Sequence, residues 1–325
     1  MGEVTSSRLA LIVLAGSDAK PAQLPESGAD KHPVSGPKGM AIHLGGMHLI
    51  DQLLVRLKQA EVFDPIFIAG PVSAYGELRQ GVRVIDTDGS FGENIEASVA
   101  FVRQRCPGMP LAVTTCDILP DRDEMQTMLA DYGAHAHLDF WFPMILAPAS
   151  RKRLGASAWK PQYRIAPSPG AAPKAILPGH LVIVDPESLR LGFINRSFDL
   201  AYRCRNRPLV YRSFFIVSRL LLYLLGKDLR QILNLRVPAV TLAVIFQAII
   251  MVHKLRRGTM TPDELARRFR MIFVRSRHRR RYPDRYGRLP LIDALSFAKD
   301  MDTQEEAEER AAEFFPEVNA GGDSE

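Results

Sequence analysis

The chain has 325 residues, 46% hydrophobic and 24% charged, which is enough apolar material for a sizeable core and too much for a disordered chain. Cys106, Cys116 and Cys204 are too widely spaced for a CxxC or zinc-knuckle motif, and an odd number argues against a disulfide framework, so a reducing compartment is expected. The +6 formal charge is uneven: residues 200–290 hold roughly twenty Arg and Lys against about four acids, whereas 301–325 is acidic, which implies a polyanionic partner for the second half.

Met1 to Ser7 lacks a basic n-region, and the following apolar run is shorter than a secretory h-region, so no cleaved signal is expected. Leu9 to Ala15, closed by Gly16, is a continuous apolar run of the kind buried on both faces of a parallel sheet. A Pro-, Gly- and Ser-rich loop spans Ser17 to Pro37, long enough to suggest function. Met47, Ile50, Leu53, Leu54 and Leu57 then recur at helical spacing. Further strands are predicted at Pro65–Ala69, Val82–Ile85 and Pro110–Thr115, with helices at Glu93–Gln104 and Arg122–Tyr132. This alternation predicts an α/β fold with a Rossmann-like, doubly wound, mostly parallel sheet, whose ligands bind beyond the carboxyl ends of the strands.

Residues 149–179 read as a loop or hairpin insertion and His180–Val184 as another strand. Leu209–Leu225 and Val237–Val252 are unusually apolar, and Pro262–Arg281 reads as one strongly basic helix. Val237–Val252 is shorter than the roughly twenty residues a bilayer core demands. A protein-buried helix, an oligomer interface and a shallow contact with an anionic membrane are the readings left open.

Three segments could carry chemistry. The glycine turn Leu14-Ala15-Gly16-Ser17 lets backbone N–H groups approach phosphate, and Lys38 at the far end of the loop can neutralise it. No Walker A or GxGxxG pattern accompanies them. Thr115-Cys116-Asp117 places a carboxylate just past a buried strand, where it binds a cation or caps a helix. Asp300 and Asp302, at i and i+2, point to opposite faces if the segment is extended, so only one of them is expected to face a metal, while Thr303 and Glu306 make a capping box. His43, His48, His135 and His137 lack metal-ligand spacing. The basic run Arg275–Arg281 lacks aromatic stacking partners, so nucleic acid is not an expected ligand.

In order, Leu14-Ala-Gly, Lys38-Gly-Met-Ala-Ile-His-Leu-Gly-Gly46, Asp88-Gly-Ser-Phe-Gly-Glu-Asn94, Thr115-Cys-Asp117-Ile and Asp300-Met-Asp302-Thr resemble the MobA-like nucleotidyltransferases, a family with a GT-A-type fold. The resemblance covers about 8–130 and returns at 179–189 and 295–306. It implies a nucleotide site formed by Leu14, Ala15, Gly16, Ser17, Lys38, Asn94 and Thr115, with Lys38 on the phosphates. Asp117 is then the principal Mg²⁺ ligand, with Asp300 or Asp302 as the second. The implied reaction joins NMP from an NTP to a phosphorylated acceptor and releases pyrophosphate. His180, Arg205 and Arg207 are expected to face that acceptor. Ser17 replaces a glycine usual in the family, and only Lys20 and Lys31 stand in for the arginine of its first loop. Two alternatives follow: a GT-A glycosyltransferase, which usually shows a DxD motif absent from Cys116-Asp-Ile-Leu119, and an inactive nucleotide-binding or membrane-associated homologue.

The expected organisation is an α/β core over 1–200, a helical apolar and basic insertion over 201–290, a return segment over 291–310 and an acidic, disordered tail over 311–325. The expected setting is cytoplasmic, at the membrane periphery, with a second copy of the chain as a further partner.

Overall fold

The computed structural model describes residues 8–17, 33–160, 162–204, 215, 218–226, 228–229 and 240–315. Its strands in chain order are β1 (Leu9–Leu14), β2 (His43–Leu44), β3 (Met47–His48), β4 (Phe63–Gly70), β5 (Leu78–Arg79), β6 (Val82–Asp86) and β7 (Leu111–Thr115) in the first half. They continue with β8 (Leu138–Trp141), β9 (Met144–Leu146), β10 (Tyr163–Ile165), β11 (Lys174–Pro178), β12 (Leu181–Val184), β13 (Tyr286–Arg288) and β14 (Leu291–Ile292). Eight of them form one sheet in the order β13-β8-β12-β7-β1-β4-β6-β5.

The central strand explains the layering. All six residues of β1 are buried, and because side chains alternate across a strand, Leu9, Leu11 and Val13 enter one core and Ala10, Ile12 and Leu14 another. The first core is closed by Ile50, Leu53, Leu54 and Leu57 of the helix Leu49–Gln59 and by Met125 and Met128 of the helix Arg122–Gly133. The second is closed by Val99 and Val102 of the helix Phe91–Arg105. Helices on both faces make the sheet doubly wound, as predicted. Met47 is not part of its helix: it lies half-exposed in β3, and the helix begins two residues later.

β1 pairs in parallel with β4 and β7, and β4 with β6. β12 inserts antiparallel between β7 and β8, so the residue preceding it, His180, lies at the edge where the parallel strands end. A smaller sheet, β10-β11-β9-β14, contains the predicted hairpin of the 149–179 insertion.

The C-terminal half differs from expectation at four places. The basic stretch is two helices, Pro262–Phe273 and Ser276–Arg281. Between them Val274 is extended and fully buried, bridging Leu189, while Arg275 N donates to Ser188 O at 2.8 Å. The apolar stretch forms the helix Val240–Arg256, with Met251 and Leu255 packed inward and Leu242, Phe246 and Ile249 more than 60% exposed. A buried helix therefore describes one face only. Among the described residues no helix is long and apolar enough to cross a membrane. The chain rejoins the main sheet at β13, ahead of the expected 291. Residues 311–314, expected in a disordered tail, continue the helix Gln304–Phe314, whose Ala311 and Phe314 pack on Ile42, Leu44 and Leu119.

Asp139 in β8 fastens the basic helices to the sheet. It is fully buried and accepts from Arg270 Nε at 2.6 Å and Arg285 Nε at 3.0 Å, with His278 Nε2 at 3.1 Å. A carboxylate taken out of water is retained only when paired in this way.

Candidate active site

The carboxyl ends of β1, β4, β6 and β7 meet at one edge. Ala15 N donates to Ala69 O at 2.7 Å, and Cys116 N to Leu14 O at 2.9 Å. The approach is close enough to require glycine: a Cβ on Gly70 would sit 2.5 Å from Ala15 O, and one on Gly16 would sit 2.8 Å from Asn94 Nδ2. Ser17 is tied to the end of β6, its N donating to Asp88 Oδ1 at 2.9 Å and its Oγ to the same oxygen at 2.6 Å. Asp88 thus holds the first loop.

Asn94 lies in the helix Phe91–Arg105, whose start is fixed by a capping box of Ser90 and Glu93. Its Oδ1 accepts from Thr87 Oγ1 at 2.7 Å and Gly89 N at 2.8 Å. The oxygen therefore organises the turn after β6, and the amide nitrogen is the end that lies against Gly16.

Lys38 follows Pro37 at the start of the short helix Lys38–Ala41. Its Nζ lies 2.5 Å from Asp302 Oδ1 and 3.3 Å from Asp117 Oδ2. Asp117 follows β7 directly. The return segment docks beside it, with Met301 N donating to Asp117 O at 2.7 Å and the Met301 side chain fully buried. Residues 300–302 are not in a strand. With Met301 turned inward, Asp300 and Asp302 both face Asp117, and one oxygen of each of the three carboxylates lies within 4.8 Å of the others. The expectation that only one of Asp300 and Asp302 faces the site is therefore corrected: the alternation rule assumes a strand.

Lys160, which no sequence signal distinguishes within the 149–179 insertion, completes the cluster. Its Nζ lies 2.8 Å from Asp300 Oδ1, 3.1 Å from Glu306 Oε1 and 3.4 Å from Asp302 Oδ2. Glu306 also forms the anticipated capping box with Thr303, and its Oε2 accepts from Asp302 N at 2.7 Å. One residue thus starts a helix and holds the site. His180 Nε2 lies 3.7 Å from Asp300 Oδ1, and His180 Nδ1 lies 3.1 Å from Thr115 Oγ1. Arg205 and Arg207 lie outside the described residues.

Four carboxylates (Asp117, Asp300, Asp302 and Glu306) face two ammonium groups, Lys38 and Lys160. For Lys38, Lys160, Asp117 and Asp300 burial works against the charge, yet the opposite charges beside them outweigh it. Despite burial, Lys160 and His180 hold Asp300 down at about 2, and Lys38 and His180 hold Asp117 below the usual carboxylate range. Burial disfavours the Lys38 and Lys160 charges, but the carboxylates keep both lysines well above the ordinary value.

One atom remains unserved: Asp117 Oδ1 is buried with no hydrogen-bond partner among the described residues. Such an orphan is costly. The all-oxygen donor set, with excess negative charge, fits a hard divalent cation such as Mg²⁺. Asp117, Asp300 and Asp302 are the residues that would hold it.

No family model and no curated protein matches the sequence. Among solved structures, a hypothetical transferase from Thermus thermophilus is 16% identical, covering 92% of this chain and 99% of its own, with a TM-score of 0.52. A CMP:2-keto-3-deoxy-manno-octonic acid synthetase complexed with CTP is 11% identical over 67% of this chain and 86% of its own, with a TM-score of 0.41. A 2-C-methyl-D-erythritol 4-phosphate cytidylyltransferase from Francisella tularensis is 12% identical over 65% and 86%, with a TM-score of 0.36. The chain shares its α/β fold with the Thermus transferase.

Proposed function

We propose that the chain is an Mg²⁺-dependent nucleotidyltransferase of the MobA-like type, moving NMP from an NTP to a phosphorylated acceptor. The observation that carries this reading is the meeting of Asp117, Asp300 and Asp302 beside Lys38 at the strand ends, with Asp117 Oδ1 left without a partner. An acceptor phosphate oxygen bonds to the α-phosphorus of the NTP, the bond from that phosphorus to the bridging oxygen breaks, and pyrophosphate leaves. No protein nucleophile is needed, because positioning and charge neutralisation supply the catalysis. The cation, when bound, would offset charge on the phosphates.

The turn from Ala15 to Ser17, fixed by Asn94 and Asp88, presents backbone to the nucleotide. Lys38 shifts from carboxylate partners to phosphate oxygens. Thr115 orients His180, which with Lys160 lies on the side of the cluster assigned to the acceptor. Arg205 and Arg207 remain acceptor-binding candidates from sequence. For the acceptor, an amphiphilic phosphorylated molecule agrees with the exposed Leu242, Phe246 and Ile249, and the same face suits peripheral contact with an anionic membrane in a cytoplasmic setting. Failure to co-sediment with anionic vesicles at low salt would remove the membrane contact.

The deciding experiment measures pyrophosphate release with each of the four NTPs, Mg²⁺ and a panel of phosphorylated acceptors. Acceptor-dependent release, abolished by Asp117→Asn, supports the reading. Absence of NTP binding by the folded protein refutes it.

A further inference from the structure

The opposite edge of the sheet carries a cavity, outside the proposed reaction. β7 begins there, after Pro110, and β12 ends there, at Val184. The five residues of β7 span roughly 17 Å, which separates this edge from Asp117. The cavity measures about 670 Å³, within the range of about 300–1,000 Å³ usual for small-ligand sites. Its lining includes the exposed Arg275, Arg277 and Arg281 and the less exposed Tyr132, Leu138 and Ile183.

The carboxylates in the lining are already taken. Asp185 Oδ2 is 2.8 Å from Arg285 Nη2, and Glu187 Oε1 is 2.5 Å from Arg103 Nη2. The buried Asp139 beneath is shared by Arg270, Arg285 and His278. Arg275, Arg277 and Arg281 are exposed and have no carboxylate partner among the described residues. Neighbouring guanidinium groups already crowd one another: burial and the Arg279 charge bring Arg190 down to about 10, and burial, Arg270 and Arg280 lower Arg279. Positive charge gathered in a concave, partly apolar lining, without acids to balance it, is costly in the free protein and favourable once an anion enters. Guanidinium forks match phosphate oxygens in geometry.

We propose that this cavity is a second ligand site, which takes a small phosphorylated molecule with its phosphates on Arg275, Arg277 and Arg281 and its apolar part on Tyr132, Leu138 and Ile183. A concave site of this volume suits a small ligand, whereas a nucleic-acid strand or a lipid surface needs an extended basic stripe.

Inorganic tripolyphosphate serves as the probe, titrated calorimetrically into the full-length protein in EDTA at low salt, where the carboxylate cluster at the other edge repels anions. One equivalent should bind, and a variant combining Arg275→Gln, Arg277→Gln and Arg281→Gln should bind at least about tenfold more weakly with unchanged circular dichroism. The same variant should keep wild-type affinity for Mg²⁺-NTP. Equal binding by both proteins, or none by the wild type, would overturn the proposal. So would tighter binding of a single-stranded oligonucleotide or of phosphatidylglycerol vesicles through the same arginines, since either would make the surface an extended one.

Discussion

The two ends of β7 carry opposite charge, and they are built in opposite ways. At the carboxyl end, Asp117 meets Asp300, Asp302, Lys38 and Lys160, and Lys38 and Asp302 are 264 residues apart in sequence. These groups are largely buried and nearly all paired. At the amino end, the arginines of 275–285 are neighbours in sequence, and four of them, Arg275, Arg277, Arg280 and Arg281, are exposed with no carboxylate partner among the described residues. Topology assembles the first cluster, so its geometry is fixed by the sheet. Composition assembles the second, so its geometry depends on one buried carboxylate, Asp139. A cluster collected from distant segments can be precise enough for chemistry, whereas a contiguous run serves more readily as a landing surface.

Asp117→Asn tests the first cluster most sharply. It should lower the rate of pyrophosphate release by about a thousandfold and also lower the melting temperature, because, despite burial, the ionised carboxylate is held by Lys38 and His180 in the folded protein. Loss of stability with unchanged pyrophosphate release would make Asp117 structural. Asp139→Asn probes the other cluster. Removing a buried charge shared by Arg270, Arg285 and His278 should cost about 3–5 kcal/mol, read as a lower urea midpoint, and the molecules that remain folded should turn over normally. Loss of turnover without loss of stability would join two ends that are here kept separate.

Thr303→Ala, next in size, removes the helix cap behind the return segment and should cost about 1 kcal/mol in urea unfolding. A larger loss would show that the cap and the carboxylate cluster form one unit. The smallest effect concerns Asp131, in the last turn of the helix Arg122–Gly133. Burial raises its pKa, but hydrogen bonds from Arg288 and Trp141 outweigh that and hold it below the ordinary 3.8. Because the folded value is the depressed one, its contribution is complete above the unfolded value and is lost as pH falls through the folded one. Asp131→Asn should therefore flatten the acid limb of stability below about pH 4 by about 1 kcal/mol or less.

Legibility in the sequence followed the same division. β1 was plain because a strand buried on both faces must be apolar throughout, and Asp117 because it follows such a strand. The direction of β12 was not legible, since a four-residue apolar run is the same read either way, and with it went the placing of His180 beside Asp300. Lys160 was hidden among other lysines of its insertion, its role created wholly by docking of the return segment. The arginine run was visible as charge, but its cavity was not, because the break at Val274 that turns the second basic helix depends on pairing with Leu189.

The docking of Met301 against Asp117 also sets an order in time. During synthesis β1, β4, β6 and β7 emerge within the first 115 residues, and the strand-end turn of Ala15 and Gly16 against Asn94 can form with them. The carboxylates of 300–302 arrive only after every helix of the insertion has been made. A nascent or truncated chain would thus carry the strand-end turn without the acidic cluster, and under the proposed function activity would appear only in the last step of folding.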